Sequence, residues 1–146
     1  MLNFVIMATT PIPKKILARQ NEITGDFLKA VDQHLDDLLQ HKVMDMMEIR
    51  DFADQLHIHP THLSNTIKLT TGRAPCDFFE EKIMRIAKEM LRNSAVSVAE
   101  IATQLTFDPS NFTKFFKRFE GITPKQYREG LLMKQYEEKS EIIEHI

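Results

Sequence analysis

Two stretches of this chain repeat each other at an offset of 49 residues, and that repeat limits the fold more than any other feature. Ala53 matches Ala102, and Gln55-Leu56 matches Gln104-Leu105. Pro60 matches Pro109, Lys68 matches Lys117, Gly72 matches Gly121 and Pro75 matches Pro124. Five further positions pair like with like: Ile58 with Phe107, Thr61 with Ser110, Leu63 with Phe112, Ser64 with Thr113 and Ile67 with Phe116. Two copies are too few for a solenoid, so a duplicated supersecondary unit is expected.

Each copy has its own physical logic. A small alanine (53 or 102) lets a second helix cross the first closely. Five residues later a large apolar side chain, Ile58 or Phe107, plugs the turn. Proline at 60 or 109 starts the next helix, where its missing N–H costs nothing. That helix buries Leu63 and Ile67 in one copy, Phe112 and Phe116 in the other, at i, i+4 spacing. Glycine at 72 or 121 ends it as a left-handed cap. Two short helices around a tight turn make a helix-turn-helix. The same pattern also suits a helical hairpin that binds protein, so the outward faces have to decide. They carry Thr61, His62, Ser64, Asn65 and Lys68 in the first copy. The second carries Ser110, Asn111, Thr113, Lys114, Lys117 and Arg118. Neither set holds an acid. Hydroxyls, amides and cations suit base edges and phosphates, whereas a protein-binding face more often shows aromatic or leucine side chains.

The remainder reads as helices and turns, giving an all-α fold of about seven helices: two helix-turn-helix lobes joined by a long linker helix. Residues 1–25 show no clear period and contain Pro11 and Pro13, so a loose N-terminal arm is expected. Asp26 to Lys42 sets Phe27, Val31, Leu35, Leu38 and Leu39 on one face. A short helix is expected from about Met46 to Leu56, a third from near Pro60 that ends before Gly72, and the linker helix from about Pro75 to Arg92. Ser97 with Glu100 forms a capping box for a fifth helix. Asp108-Pro109 and Thr123-Pro124 open two more. The expected division is an arm over 1–25, a first lobe over 26–74, a linker over 75–94, a second lobe over 95–130 and an acidic tail over 131–146.

The net charge of −2 argues mildly against a nucleic-acid partner, but its distribution does not. Residues 57–128 hold 11 basic and 7 acidic side chains, while both flanking segments are acidic. No apolar run reaches the roughly 20 residues of a membrane span, and Met1 to Met7 lacks the basic start of a signal peptide. No membrane partner is expected, and a cytoplasmic location follows by default. The single cysteine, Cys76, has no disulfide or zinc partner and reads as a small, half-buried side chain.

Three segments then resemble the DNA-binding domain of the AraC/XylS family of bacterial transcription regulators. They are Ile49 through Ser64, closing at Lys68 and Gly72; Lys82-Ile83 with Ala87 to Leu91; and Val98 to Ala102, Phe107, Phe112, Phe116 to Arg118 and Gly121 to Arg128. The last stretch carries the most specific part of the match, which spans residues 28–128. The resemblance implies seven helices, a rigid linker and two recognition helices entering successive major grooves. A linker about 27 Å long, at about 1.5 Å per residue, compares with grooves about 34 Å apart. The family's usual sensing domain finds no counterpart in the first 25 residues. Either the chain resembles the members that are a bare DNA-binding domain, or it is a fragment of a larger regulator. For a bare domain, control by abundance or by a partner protein is expected rather than by a metabolite. The family usually has glycine just before the plug. Here His57 and Thr106 stand there, and a left-handed backbone would strain Thr106 by about 1 kcal/mol or more. The second turn also reads as one residue shorter than usual.

The function expected is sequence-specific DNA-binding transcription regulation, with no enzymatic activity. The base-reading set is Thr61, His62, Ser64 and Asn65 with Ser110, Asn111, Thr113 and Lys114. Lys68, Lys117, Arg118 and Arg128 suit phosphates. Asn65 can pair bidentately with adenine and Lys114 can donate to guanine. His57, His59 and His62 lie close together, but no acid or cysteine completes a metal site, so no metal and no cofactor is expected. Double-stranded DNA is the expected partner, with RNA polymerase or another protein besides and no small-molecule ligand. The competing reading is a helical interaction module that has lost DNA binding and docks a protein through Met44, Met46 and Met47 or through the acidic tail.

Overall fold

The computed structural model describes residues 13–145. Seven helices account for the ordered elements of that stretch. They are α1 (Lys14–Leu39), α2 (Ile49–Gln55), α3 (Pro60–Thr71), α4 (Pro75–Leu91), α5 (Val98–Gln104), α6 (Pro109–Glu120) and α7 (Pro124–Glu144). The all-α fold of about seven helices is as the sequence implies.

Two boundaries correct the sequence expectation, and a third completes it. The reading of 1–25 as a loose arm lies outside the described residues up to position 12. From Lys14 onward it is overturned, because α1 starts there. Pro13 stands just before the helix, where proline is harmless, and its carbonyl accepts the Leu17 N–H at 3.1 Å. Buried Ile23, four residues before Phe27, carries the helical period back through Gly25. At α2 the start is Ile49 rather than Met46. The Glu48 N–H donates to Asp51 Oδ2 at 2.7 Å, which fixes the entry to the helix there. At the C-terminal end the helix expected from Pro124, with an extension past Gly130 left open, continues through the acidic segment to Glu144.

Chain contacts group the residues into two compact units: 13–32 with 47–78, and 33–46 with 79–145. The division falls inside α4, between Phe78 and Phe79. In the first unit Ile23, Phe27, Val31, Phe52, Ala53, Leu63 and Ile67 are buried. Phe27 and Phe52 meet edge to face with centroids 5.7 Å apart. In the second unit Phe79, Ile83, Ala87, Leu91, Ile101, Ala102, Leu105, Phe112 and Phe116 form the apolar centre. Tyr127 packs on Phe116 at 5.5 Å.

Candidate nucleic-acid interface

The repeat in sequence is a repeat in hydrogen bonds. After α2, the His57 N–H donates to the Asp54 carbonyl at 3.1 Å and the Ile58 N–H to Ala53 at 2.9 Å. After α5, Thr106 donates to Thr103 at 3.0 Å and Phe107 to Ala102 at 2.8 Å. Both are Schellman closures, which require a left-handed residue just past the cap. His57 has φ 57° and Thr106 has φ 63°. The left-handed backbone inferred at these two positions is therefore present. The offset of 49 is kept in both turns, so the plug-to-helix spacing is the same in each copy.

The turn sets the start of each recognition helix. In α3, His59 is the N-cap, and its Nδ1 accepts the Thr61 N–H at 3.2 Å. This role accounts for one of the clustered histidines without a metal. Among the described residues no group of three or more His, Cys, Asp or Glu side chains is gathered to hold an ion. In α6, Asp108 takes the N-cap position but makes no cap hydrogen bond. Its carboxylate instead accepts the Ser110 hydroxyl at 2.5 Å. That bond holds the Asp108 carboxyl below the usual carboxylate range. The backbone N–H groups of Asn111 and Ser110 and the Lys114 cation act in the same direction. Each helix ends at a left-handed glycine, Gly72 (φ 75°) and Gly121 (φ 83°), whose N–H bonds Lys68 and Lys117 carbonyls at 2.8 Å.

Burial follows the pattern read from the repeat. Leu63, Ile67, Phe112 and Phe116 are fully buried. Thr61, His62, Asn65 and Lys68 are exposed on α3, with Ser64 half-buried. Ser110, Asn111, Lys114, Lys117 and Arg118 are exposed on α6, with Thr113 half-buried. Each unit therefore gathers its own set on one helix face. Four members already have partners. The Ser110 hydroxyl is held by Asp108, and Thr113 Oγ1 donates back to the Pro109 carbonyl at 3.1 Å. Arg118 pairs with Glu80 at 3.2 Å and lies over the Phe119 ring at 4.9 Å. Arg128 donates Nε to the Leu91 carbonyl at 3.0 Å and Nη2 to the Asn93 carbonyl at 3.2 Å. Its guanidinium thus closes the C-terminal end of α4, where cations are favoured. Lys68, Asn65 and Lys117 keep their heads on the surface.

Beside the outward face of α6 lies an aromatic flank that the base-reading and phosphate candidates do not include. Phe107, Phe115 and Phe119 form a ladder along one flank of α6, with centroids 5.1 and 5.0 Å apart. The equivalent positions in α3 are Thr66 and Thr70. There Thr70 Oγ1 meets Thr24 Oγ1 of α1 at 2.8 Å. The i, i+4 spacing of Phe115 and Phe119, one step off the buried stripe, was the available signal. Cys76 is exposed, not half-buried as the composition suggested. It falls in the first turn of α4 beside buried Pro75, on the outer side.

Two short helices around a Schellman turn, duplicated and with outward-facing residues that are hydroxyl, amide or basic, define a double helix-turn-helix DNA-binding domain. The helix-turn-helix domain family matches residues 52–130, more than half of the chain, and the chain belongs to it, as an AraC-type DNA-binding domain. Among curated relatives, the uncharacterized HTH-type transcriptional regulator YisR of Bacillus subtilis is 31% identical over 91 residues. The match covers 62% of this chain and 32% of YisR. The chain spans well under half the length of the curated relatives it matches. Among solved structures, the C-terminal domain of the two-component response regulator yesN from Fusobacterium nucleatum is 28% identical, with a TM-score of 0.55. It covers 66% of this chain and 96% of that one. The DNA-binding domain of AdpA, solved with a target DNA, shares the fold at a TM-score of 0.56 and 22% identity, over 68% of this chain and 90% of that one. No helix of the described residues is long and apolar enough to cross a membrane.

Proposed function

We propose that this domain binds a specific duplex sequence through α3 and α6, each seated in one of two successive major grooves. The observation that carries the reading is that neither helix contributes a carboxylate of its own to its outward face, on helices that start from the same turn. The acids nearest α6 are Asp108 at its N-cap and Glu80 of α4. A helix in the major groove meets base edges with its polar outer side and phosphates at its margins. Thr61, His62, Ser64 and Asn65 then read bases in the first groove. Asn111 and Lys114, with Ser110 and Thr113, read the second. Lys68 and Lys117 contact phosphates. Arg118 reaches a phosphate only by leaving Glu80, and Arg128 supports the site through α4. The 17 residues of α4 span about 26 Å at about 1.5 Å per residue, within reach of a groove repeat of about 34 Å once helix widths are added. That AdpA's domain was solved with a target DNA supports the same reading here. In the cell the domain acts as a transcription regulator, with RNA polymerase or another protein as a further partner.

The test is fluorescence anisotropy of the full chain with duplexes selected from a random pool, at two salt concentrations. A selected duplex should bind at least about a thousandfold more tightly than random DNA, as for other specific binders. Asn65→Ala should relax preference at one base pair by about 1–3 kcal/mol. No selectable sequence, with weak and salt-insensitive binding, would leave the reading as an interaction module in its place.

A further inference from the structure

The last turns of α7 show an apolar stripe that the second unit does not cover. Leu132, Tyr136 and Ile143 are 44%, 76% and 71% exposed. With Lys139 they lie at spacings of four, three and four residues. At 100° per residue these four positions fall within about 60° of arc. Met133 and Ile142, 66% and 62% exposed, flank them on either side. Lys134, Glu137, Glu138, Glu141 and Glu144 occupy the rest of the circumference, so this end of the helix is amphipathic. Arg128 stands one turn before Leu132 on the same side of the helix and is held at the end of α4, with half-buried Leu131 beside it, so the exposed stripe begins at Leu132. Five large apolar side chains exposed within twelve residues exceed what scattered surface hydrophobes explain.

We propose that this stripe pairs with the same stripe of a second copy, antiparallel, about a two-fold axis beside the Glu137–Glu138 peptide. The sequence is self-complementary about that point. Residues whose numbers are equidistant from it face each other. Leu132 meets the second copy's Ile143, and Tyr136 meets the second copy's Lys139. Each contact then occurs twice, as an isologous interface requires. The ammonium of Lys139 lies over the Tyr136 ring, which turns a cation within an apolar stripe from a liability into a contact. Met133 faces the second copy's Ile142 at the margin. The five carboxylate and ammonium positions on the back stay in water, so no buried charge is left unpaired. A parallel pair would instead set Lys139 against Lys139, which disfavours that arrangement. Twelve residues of helix make a smaller contact than the roughly 1,600 Å² of a stable complex. The association is therefore weak and reversible, and a duplex carrying two copies of the site would strengthen it by raising the local concentration.

Sedimentation equilibrium of the full chain from about 1 to 500 µM is the first measurement. A monomer–dimer equilibrium is expected within that range, and Leu132→Glu combined with Ile143→Glu should weaken it at least about tenfold. Circular dichroism should show the fold unchanged, since both side chains are exposed. The register is tested in a Cys76→Ser background by mixing Tyr136→Cys chains with Lys139→Cys chains under mild oxidation. Mixed disulfides should form faster than like-with-like disulfides. A chain that stays monomeric to 500 µM, or crosslinks preferentially between two Tyr136→Cys copies, overturns the proposal.

Discussion

The two helix-turn-helix units share one turn and differ in what lies beside it. In both, a Schellman closure fixes the angle between the helices, and the recognition helix buries residues four apart. In the first, the flank of α3 is threonine, tied to α1 through the Thr24–Thr70 contact. In the second, the same flank of α6 is Phe115 and Phe119, stacked on Phe107 and topped by Arg118. Duplication thus preserved the backbone hydrogen bonds, which leave little latitude, and released the side chains around them. The turn is the constrained part, and the flank is where each copy adapted to its own neighbours.

Substituting the paired positions measures how far the likeness extends. The largest effect belongs to the buried stripe. Phe112→Ala should cost about 3–5 kcal/mol and Leu63→Ala about 2–5 kcal/mol, read by chemical denaturation. If either costs under about 1 kcal/mol, the inward side of that helix is misassigned. Asn65→Ala and Lys114→Ala come next. Each should lower base discrimination by about 1–3 kcal/mol, at different positions of the operator. Lys68→Ala and Lys117→Ala should instead weaken all duplexes alike and lower the salt slope by about one unit each.

Smaller effects separate the two turns. Thr106→Gly should stabilise the chain by about 0.5–1 kcal/mol, because a β-branched residue is strained at positive φ. His57→Gly should gain less, histidine being better tolerated there. Equal gains at the two sites would mean that side-chain shape does not set the strain. The smallest effect is at the start of α6. With its folded carboxyl below the usual range, Asp108 contributes stability that is present above an unfolded value of about 4 and lost as pH falls through the folded one. Ser110→Ala removes the main cause, so the Asp108 carboxyl should titrate at higher pH by NMR. An unchanged titration would assign the shift to the backbone and Lys114 instead.

Much of this was legible in the residues. Proline, glycine and the i, i+4 apolar pairs mark the helices of each copy, and the missing glycine before each plug pointed to His57 and Thr106. What escaped depends on tertiary neighbours. The start of α1 was hidden because Pro13 and Gly25 both look like breaks, yet one lies just outside the helix and the other is tolerated inside it. The partners of Arg128, a phosphate candidate by its charge, were not visible in sequence, because the Leu91 and Asn93 carbonyls that hold it are 37 and 35 residues away. The partner of Ser110, a base-reading candidate, was not visible either, because the sequence does not show that its hydroxyl donates to the Asp108 carboxylate. The aromatic flank of α6 was hidden by the repeat itself, since comparing copies emphasises what they share.

Base-by-base binding of the full chain and of its Asn65→Ala and Lys114→Ala variants to a systematically substituted operator tests the shared-duplex reading most directly. The account predicts that each variant loses preference at one position and that the two positions lie about one helical turn, 10–10.5 base pairs, apart. Loss at the same position for both, or no loss for either, would contradict it.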